Sequence, residues 1–283
     1  MKMKSYSAPK KLFLMFLGTV CATVVAISAA NLLSMSSKYR EAETAYEDLA
    51  QFVILAESTN TSDAEEPPEA GADHDPAPDP DRQDTDGNKT PPKRPQPPQV
   101  DFGGLRAINP DIVGWLYCEG TPINYPVVRG SDNEYYLHHL FNRKHNNAGC
   151  LFMDCANKPD FSSQNTIIYG HNLKSGSMLS VLTKYKNQAF YDAHTRMVLM
   201  TLEGNYIIEL FSGHVAKADD AAWKLSFTNT AAMQAWIDDA YARSDFISNV
   251  VVSVNDRFIT LSTCTNDSSN ARYVVVGRLS PLA

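Results

Sequence analysis

Two apolar runs near the C-terminus, Phe258–Thr263 and Arg272–Leu279, flank a short polar loop, and the residues at their facing ends suit acyl chemistry. Cys264 closes the first run and Arg272 opens the second. A thiolate is a strong nucleophile, and a permanently charged, planar guanidinium suits an oxygen that becomes anionic. Such a pair also needs a proton carrier. The best-placed imidazole is His171, 93 residues upstream in TIIYGHN (Thr166–Asn172), where an apolar run ends in a glycine that would allow a sharp turn. A cysteine and a histidine far apart in sequence are the usual layout of a thiol acyl-transfer site, because the partners meet in space. His171 would act as general acid to a leaving amine and then as base to an incoming one. The backbone N–H of Thr265 would complete an oxyanion hole.

Each residue also has a plainer reading. A free cysteine is commonly a small buried hydrophobe, most histidines are surface or structural groups, and an arginine at a strand start is usually a surface cation. A C-x5-R phosphate loop does not fit, since Arg272 is eight residues beyond Cys264 with no glycine between. A second cluster, His138, His139, His145, Cys150 and Cys155, has no C-x2-C or H-x3-H pair of the kind zinc sites use. Inert thiols are the favoured reading there, ahead of a metal site or a Cys150–Cys155 disulfide, and no metal or cofactor is expected.

TLSTC (Thr260–Cys264), YGHN (Tyr169–Asn172) and Arg272 together resemble the sortase family. The class B branch is similar in NPDIVGWL (Asn109–Leu116), TPINYPVV (Thr121–Val128), NEYYLHH (Asn133–His139) and GSM (Gly176–Met178). A lone TLxTC would be a weak signal; all of these in order, between about Val100 and Leu279, are specific. The resemblance implies a mainly β fold: an eight-stranded closed β-barrel with N-terminal helices and a helix before the seventh strand. It implies catalysis by Cys264, His171 and Arg272, and a substrate groove at Asn133, Leu137, Tyr169, Ser262 and Thr263. Tyr169 and Leu137 could equally be core residues. Thr265 departs from the acidic residue that class B members often carry after the cysteine, though a backbone donor does not depend on it. The lid motif of class C pilin polymerases is not found before Val100.

The implied reaction is cleavage of a C-terminal sorting signal of secreted proteins and transfer of the new carboxyl end, through a thioacyl enzyme, to a peptidoglycan amine. The alternatives are a pilin-polymerising sortase, a thiol endopeptidase that uses water, and a non-catalytic wall-binding module.

These residues must be positioned by a folded domain, expected over residues 100–283. Strands are predicted at Val113–Tyr117, Ile123–Val128, Cys150–Met153, Thr166–Tyr169, Met197–Leu202, Tyr206–Val215, Val250–Val254, Phe258–Thr263 and Arg272–Leu279. Helices are predicted at Phe102–Ile108, Asn133–Leu140, Met178–Tyr185 and Ala231–Arg243, the last with an apolar stripe through Met233, Trp236, Ile237, Ala240 and Tyr241. Many short strands point to a barrel or sandwich.

The rest of the chain is of another kind. Leu12–Leu33 runs 22 residues without a charge, long enough to cross a bilayer, after a cytoplasmic N-terminus (residues 1–11) bearing Lys2, Lys4, Lys10 and Lys11. An uncleaved anchor is favoured over a cleaved signal peptide, because the apolar run continues past Ser28-Ala29-Ala30. The catalytic domain would then lie outside the membrane, which the resemblance implies is that of a Gram-positive cell. Residues 34–56 read as a juxtamembrane helix, striped from Lys38 to Ala56 by Tyr39, Ala42, Tyr46, Leu49 and Val53. Residues 57–99 hold 11 acids, 4 bases and ten of the 16 prolines, a composition that buries no core and reads as a disordered tether. That segment accounts for the net charge of −7, so the folded part has no basic field to hold nucleic acid.

Overall fold

A computed structural model describes residues 8–54, 98–217, 219–264 and 271–282. Eight strands form a closed barrel: β1 (Ile112–Tyr117), β2 (Asn124–Val128), β3 (Leu151–Met153), β4 (Asn165–Tyr169), β5 (Arg196–Thr201), β6 (Asn205–Lys217), β7 (Arg257–Cys264) and β8 (Ala271–Pro281). Their order around the barrel is β8-β6-β5-β1-β2-β3-β4-β7, with β7 closing back on β8. Two neighbouring pairs, β2–β3 and β4–β7, are parallel, and the other six are antiparallel. This is the expected mainly β barrel, and the helix Thr230–Arg243 precedes β7, where the seventh-strand helix was expected.

Alternation of side chains along each strand divides the apolar residues between two layers. Leu116, Ile168, Leu199, Leu210, Leu261 and Val275 belong to the largest buried cluster. The other face of β1, β2, β3 and β5 presents Trp115, Val128, Phe152, Val198 and Met200 to a second cluster. A third forms where Met233, Trp236 and Ile237 of the Thr230–Arg243 helix cover Phe211, Phe258 and Val276.

Several local expectations differ from the structure. Val250, Val252 and Val254 pack against the third cluster, yet Val250–Val254 joins no ladder and ends in a turn at Val254. A closed barrel leaves no strand edge for a ninth member. Asn133–Leu140 is reduced to one 3-10 turn, Tyr135–Leu137, because Asp132 Oδ1 takes the N–H groups of Glu134 and Tyr135 in a side-chain turn that competes with a helix. Met178–Tyr185 becomes the 3-10 segment Ser180–Lys186, and a short helix at Gln188–Ala193 was not anticipated.

At the N-terminal side, α1 (Ala8–Glu47) is one helix of 40 residues. Its early part carries exposed apolar side chains such as Phe16, Val25 and Leu33, and it is long and apolar enough to cross a membrane. Its last turns pack on the barrel, burying Ala42. The expected helix to Ala56 stops at Glu47, where a 3-10 segment (Asp48–Phe52) and the strand Val53–Ile54 take over. Leu49 and Val53 are also buried in the second cluster. Val53–Ile54 pairs antiparallel with Gln99–Val100, just before α2 (Phe102–Ile108).

Of the acidic tether, residues 57–97 lie outside the described residues. The ladder places Ile54 beside Gln99, so the chain leaves and returns at one point on the domain surface. Replacing residues 55–97 by a short hairpin turn is therefore expected to leave the thermal midpoint and peptide turnover unchanged. A large loss of either would show that the removed residues dock on the domain.

Candidate active site

Strand register brings the expected catalytic positions together. In the parallel pair β4–β7, Tyr169 lies beside Ser262, and Gly170 N–H donates to Ser262 O at 3.0 Å. His171 is two residues beyond Tyr169, and Cys264 is two beyond Ser262, so both backbones reach the same rim. Across the antiparallel pair β7–β8, Cys264 lies directly opposite Arg272. The cysteine position is thus flanked by the histidine on one side and the arginine on the other, on neighbouring strands about 5 Å apart. The side chain of Cys264 lies outside the described residues, as does Thr265.

A cavity of about 340 Å³ opens at this rim. Its walls include His171, Arg272, Tyr169, Ser262 and Thr263, and, from the segment before β3, Asn133 and Leu137. All seven expected residues with described side chains therefore share one cavity, together with Phe152 and Gly170. Leu137 has two roles: it is half-buried in the wall, and its carbonyl holds the imidazole.

His171 Nε2 lies 2.8 Å from Leu137 O. A carbonyl oxygen only accepts, so Nε2 carries a proton and Nδ1 is the nitrogen that gains or loses one. Gly170 serves this placement differently from expectation. It is not among the residues with positive φ; instead, a Cβ there would lie 2.5 Å from Leu151 Cδ2 and 2.6 Å from Leu179 Cγ. Close packing, and not a sharp turn, requires the glycine. Arg272 is half-buried and donates from Nη1 to Ala271 O at 3.1 Å.

The groove wall has a fixed polarity set by Asp154, a residue that sequence reasoning missed. Asp154 Oδ2 accepts from Tyr169 Oη at 3.0 Å and from Asn133 Nδ2 at 2.9 Å. Asn133 Oδ1 accepts from Cys155 N–H at 2.8 Å, which fixes the orientation of the amide. The Tyr169 proton is therefore spent on the carboxylate, and its hydroxyl offers lone pairs to the groove. Burial, with the Asp154 carboxylate adding to it, pushes the phenol pKa well up, so this donor stays protonated at any working pH. Asp154→Asn removes the shared anionic acceptor. The loss of a hydrogen bond to a charged group, about 1.5 kcal/mol, should raise peptide KM about tenfold with a smaller change in kcat. Steady-state kinetics test this; an unchanged KM would mean that the wall does not contact substrate. Trp223, stacked on Tyr169 with ring centroids 6.2 Å apart, was missed as well. It does not line the cavity itself, and it reaches Tyr169 from a segment 54 residues away in sequence.

The rival groups do not line this cavity. Burial, with the nearby Arg243 charge, lowers the His214 pKa to about 4, so it is a neutral structural imidazole. His139 stacks on Tyr135 and meets His145 edge-on, and among the described residues no three His, Cys, Asp or Glu side chains are placed to hold a metal. Cys150 and Cys155 are not bonded to one another, and burial raises the thiol pKa of both Cys118 and Cys150.

Comparison with known proteins agrees with this fold. The family model described as Sortase domain matches residues 116–280. Sortase B of Listeria monocytogenes is 38% identical over 177 residues, covering 62% of this chain and 72% of the relative. Sortase B of Staphylococcus aureus is 37% identical over 180 residues, covering 63% and 74%. Among solved structures, a Staphylococcus aureus sortase B–substrate complex superposes with a TM-score of 0.62 at 36% identity, covering 64% of this chain and 85% of that one. Clostridium perfringens sortase B superposes with a TM-score of 0.60 at 33% identity, covering 64% of this chain and all of that one. With its barrel topology, the rim shared by Cys264, His171 and Arg272, and these likenesses, the chain belongs to the sortase family of cysteine transpeptidases and is class B-like.

Proposed function

We propose that Cys264 is the nucleophile, His171 the proton carrier and Arg272 the oxyanion partner in cleavage and transfer of a sorting signal. The observation that carries this reading is the register that sets Cys264 opposite Arg272 and two residues past Ser262, the partner of Tyr169. The thiolate adds to the carbonyl carbon of the scissile peptide bond, and the electron pair moves to oxygen, facing Arg272 and the Thr265 N–H. His171 then gives the Nδ1 proton to the leaving nitrogen, the C–N bond breaks, and a thioester remains. An incoming amine adds to the thioester, His171 takes its proton, and the C–S bond breaks. Asn133, Leu137, Tyr169, Ser262 and Thr263 would hold the signal peptide along the groove.

The acceptor in this reading is a peptidoglycan cross-bridge amine. A solved sortase B structure at 36% identity is complexed with triglycine, a peptide whose terminal amine has this chemistry. Residues 12–33 would cross the membrane once, with residues 1–11 and their lysines in the cytoplasm and the catalytic domain outside. Incubating the full chain with a sorting-signal peptide library and an amine acceptor distinguishes the outcomes. An amide product supports transpeptidation, a free acid alone indicates a hydrolase, and no cleavage leaves only a binding module.

A further inference from the structure

We propose that residues 38–54 belong to the catalytic unit, and that Tyr46 on α1 is a positioning residue for His171. The inference rests on the assignment of His171 as the proton carrier. Tyr46 lies 125 residues before the histidine, in the helix that continues from the apolar segment. Its ring packs edge-on to Tyr125, with centroids 5.3 Å apart, and against Phe141 at 5.4 Å. Its hydroxyl donates to Gly149 O at 2.9 Å.

Gly149 is the surface on which the imidazole rests. It has φ +59°, and a Cβ there would stand 2.8 Å from His171 Cδ2. The same Cβ would stand 2.8 Å from Tyr136 O and 2.9 Å from Leu137 O, and Leu137 O is the acceptor of the His171 Nε2 proton. The turn at residues 146–149 is tied to α1 a second time, because Asn146 Nδ2 donates to Lys38 O at 2.8 Å. Within the turn, Gly149 N–H donates to Asn146 O at 3.1 Å, linking the two ties.

A second route leads to the backbone of the histidine. Tyr125, which packs on Tyr46, accepts from Met178 N–H at 3.3 Å and so holds a non-glycine residue at φ 58°. Its neighbour Leu179 donates to His171 O at 3.2 Å. Tyr46 thus props both the turn against the imidazole and the loop that hydrogen-bonds the His171 backbone. A group used in proton transfer tolerates little displacement, since misplacement by about 1 Å costs on the order of 10² in rate. The helix that carries the chain out of its apolar segment therefore also sets the catalytic imidazole, and a domain trimmed to begin at Val100 lacks that support.

The test uses the full chain in detergent, comparing wild type with Tyr46→Phe, which keeps the ring packing and removes one hydroxyl. Turnover is expressed per Cys264 thiol titrated by an alkylating agent, so a misfolded fraction does not enter the rate. Loss of one hydrogen bond at the imidazole support should lower kcat about fivefold, with KM and thermal midpoint nearly unchanged. Wild-type kcat overturns the inference, whether or not the midpoint falls, as does a raised KM at unchanged kcat. No amide product from the wild-type chain would instead count against the proposed function itself.

Discussion

Replacing Cys264 by alanine is expected to abolish amide formation and peptide cleavage together, because the thioester cannot form without the sulfur. An alkylating agent should modify Cys264 before any other cysteine of the domain. Cys118 and Cys150 are each about 1% exposed, and burial pushes both thiols away from the reactive thiolate form. Cys155 is half-buried, with its own carbonyl accepting from Arg129 Nη2 at 2.6 Å. Mass mapping of the alkylated peptide, alongside kinetics of Cys264→Ala, gives the answer. Half the wild-type turnover in that variant would remove Cys264 from the nucleophile's role.

Arg272→Ala should lower turnover by about 10²–10³, the usual cost of one oxyanion donor. Arg272 stands opposite Cys264 in the ladder and lines the same cavity as His171. An interaction made mainly with the developing anion lowers kcat and kcat/KM together and leaves KM little changed. Arg272→Lys retains the charge but loses the planar fork, so it should restore only part of the rate. Steady-state kinetics of both variants separate the roles. A raised KM at normal kcat would make Arg272 a substrate-binding residue, and wild-type rates in both would make it an ordinary surface cation.

The barrel strands were legible because each is a short apolar run bounded by turn residues, and the runs ending at Tyr169 and Cys264 appear almost as read. Val250–Val254 shows the limit of that logic. Its alternating pattern does half-bury every second side chain, but strand identity also needs a partner edge, which a closed barrel denies it. The helices at 133–140 and 178–185 failed because side-chain turns and tertiary packing outweighed weak helical periodicity.

By itself, the sequence determined the chemical types of the site and the local elements that end at them: Cys264 at the close of one strand, Arg272 at the start of the next, and His171 just past a third. Apolar periodicity and turn residues are local properties, and they can be read in order along the chain. Only the tertiary structure decided that β4 and β7 run parallel in a register that brings His171 and Cys264 to one rim. It alone showed that Asp154 fixes the polarity of Tyr169 and Asn133, and that Tyr46 reaches Gly149 beneath the histidine. These are single contacts between residues separated by between 15 and 103 positions. They leave no periodic trace, because a hydrogen bond across the fold constrains one residue at each end and nothing in between.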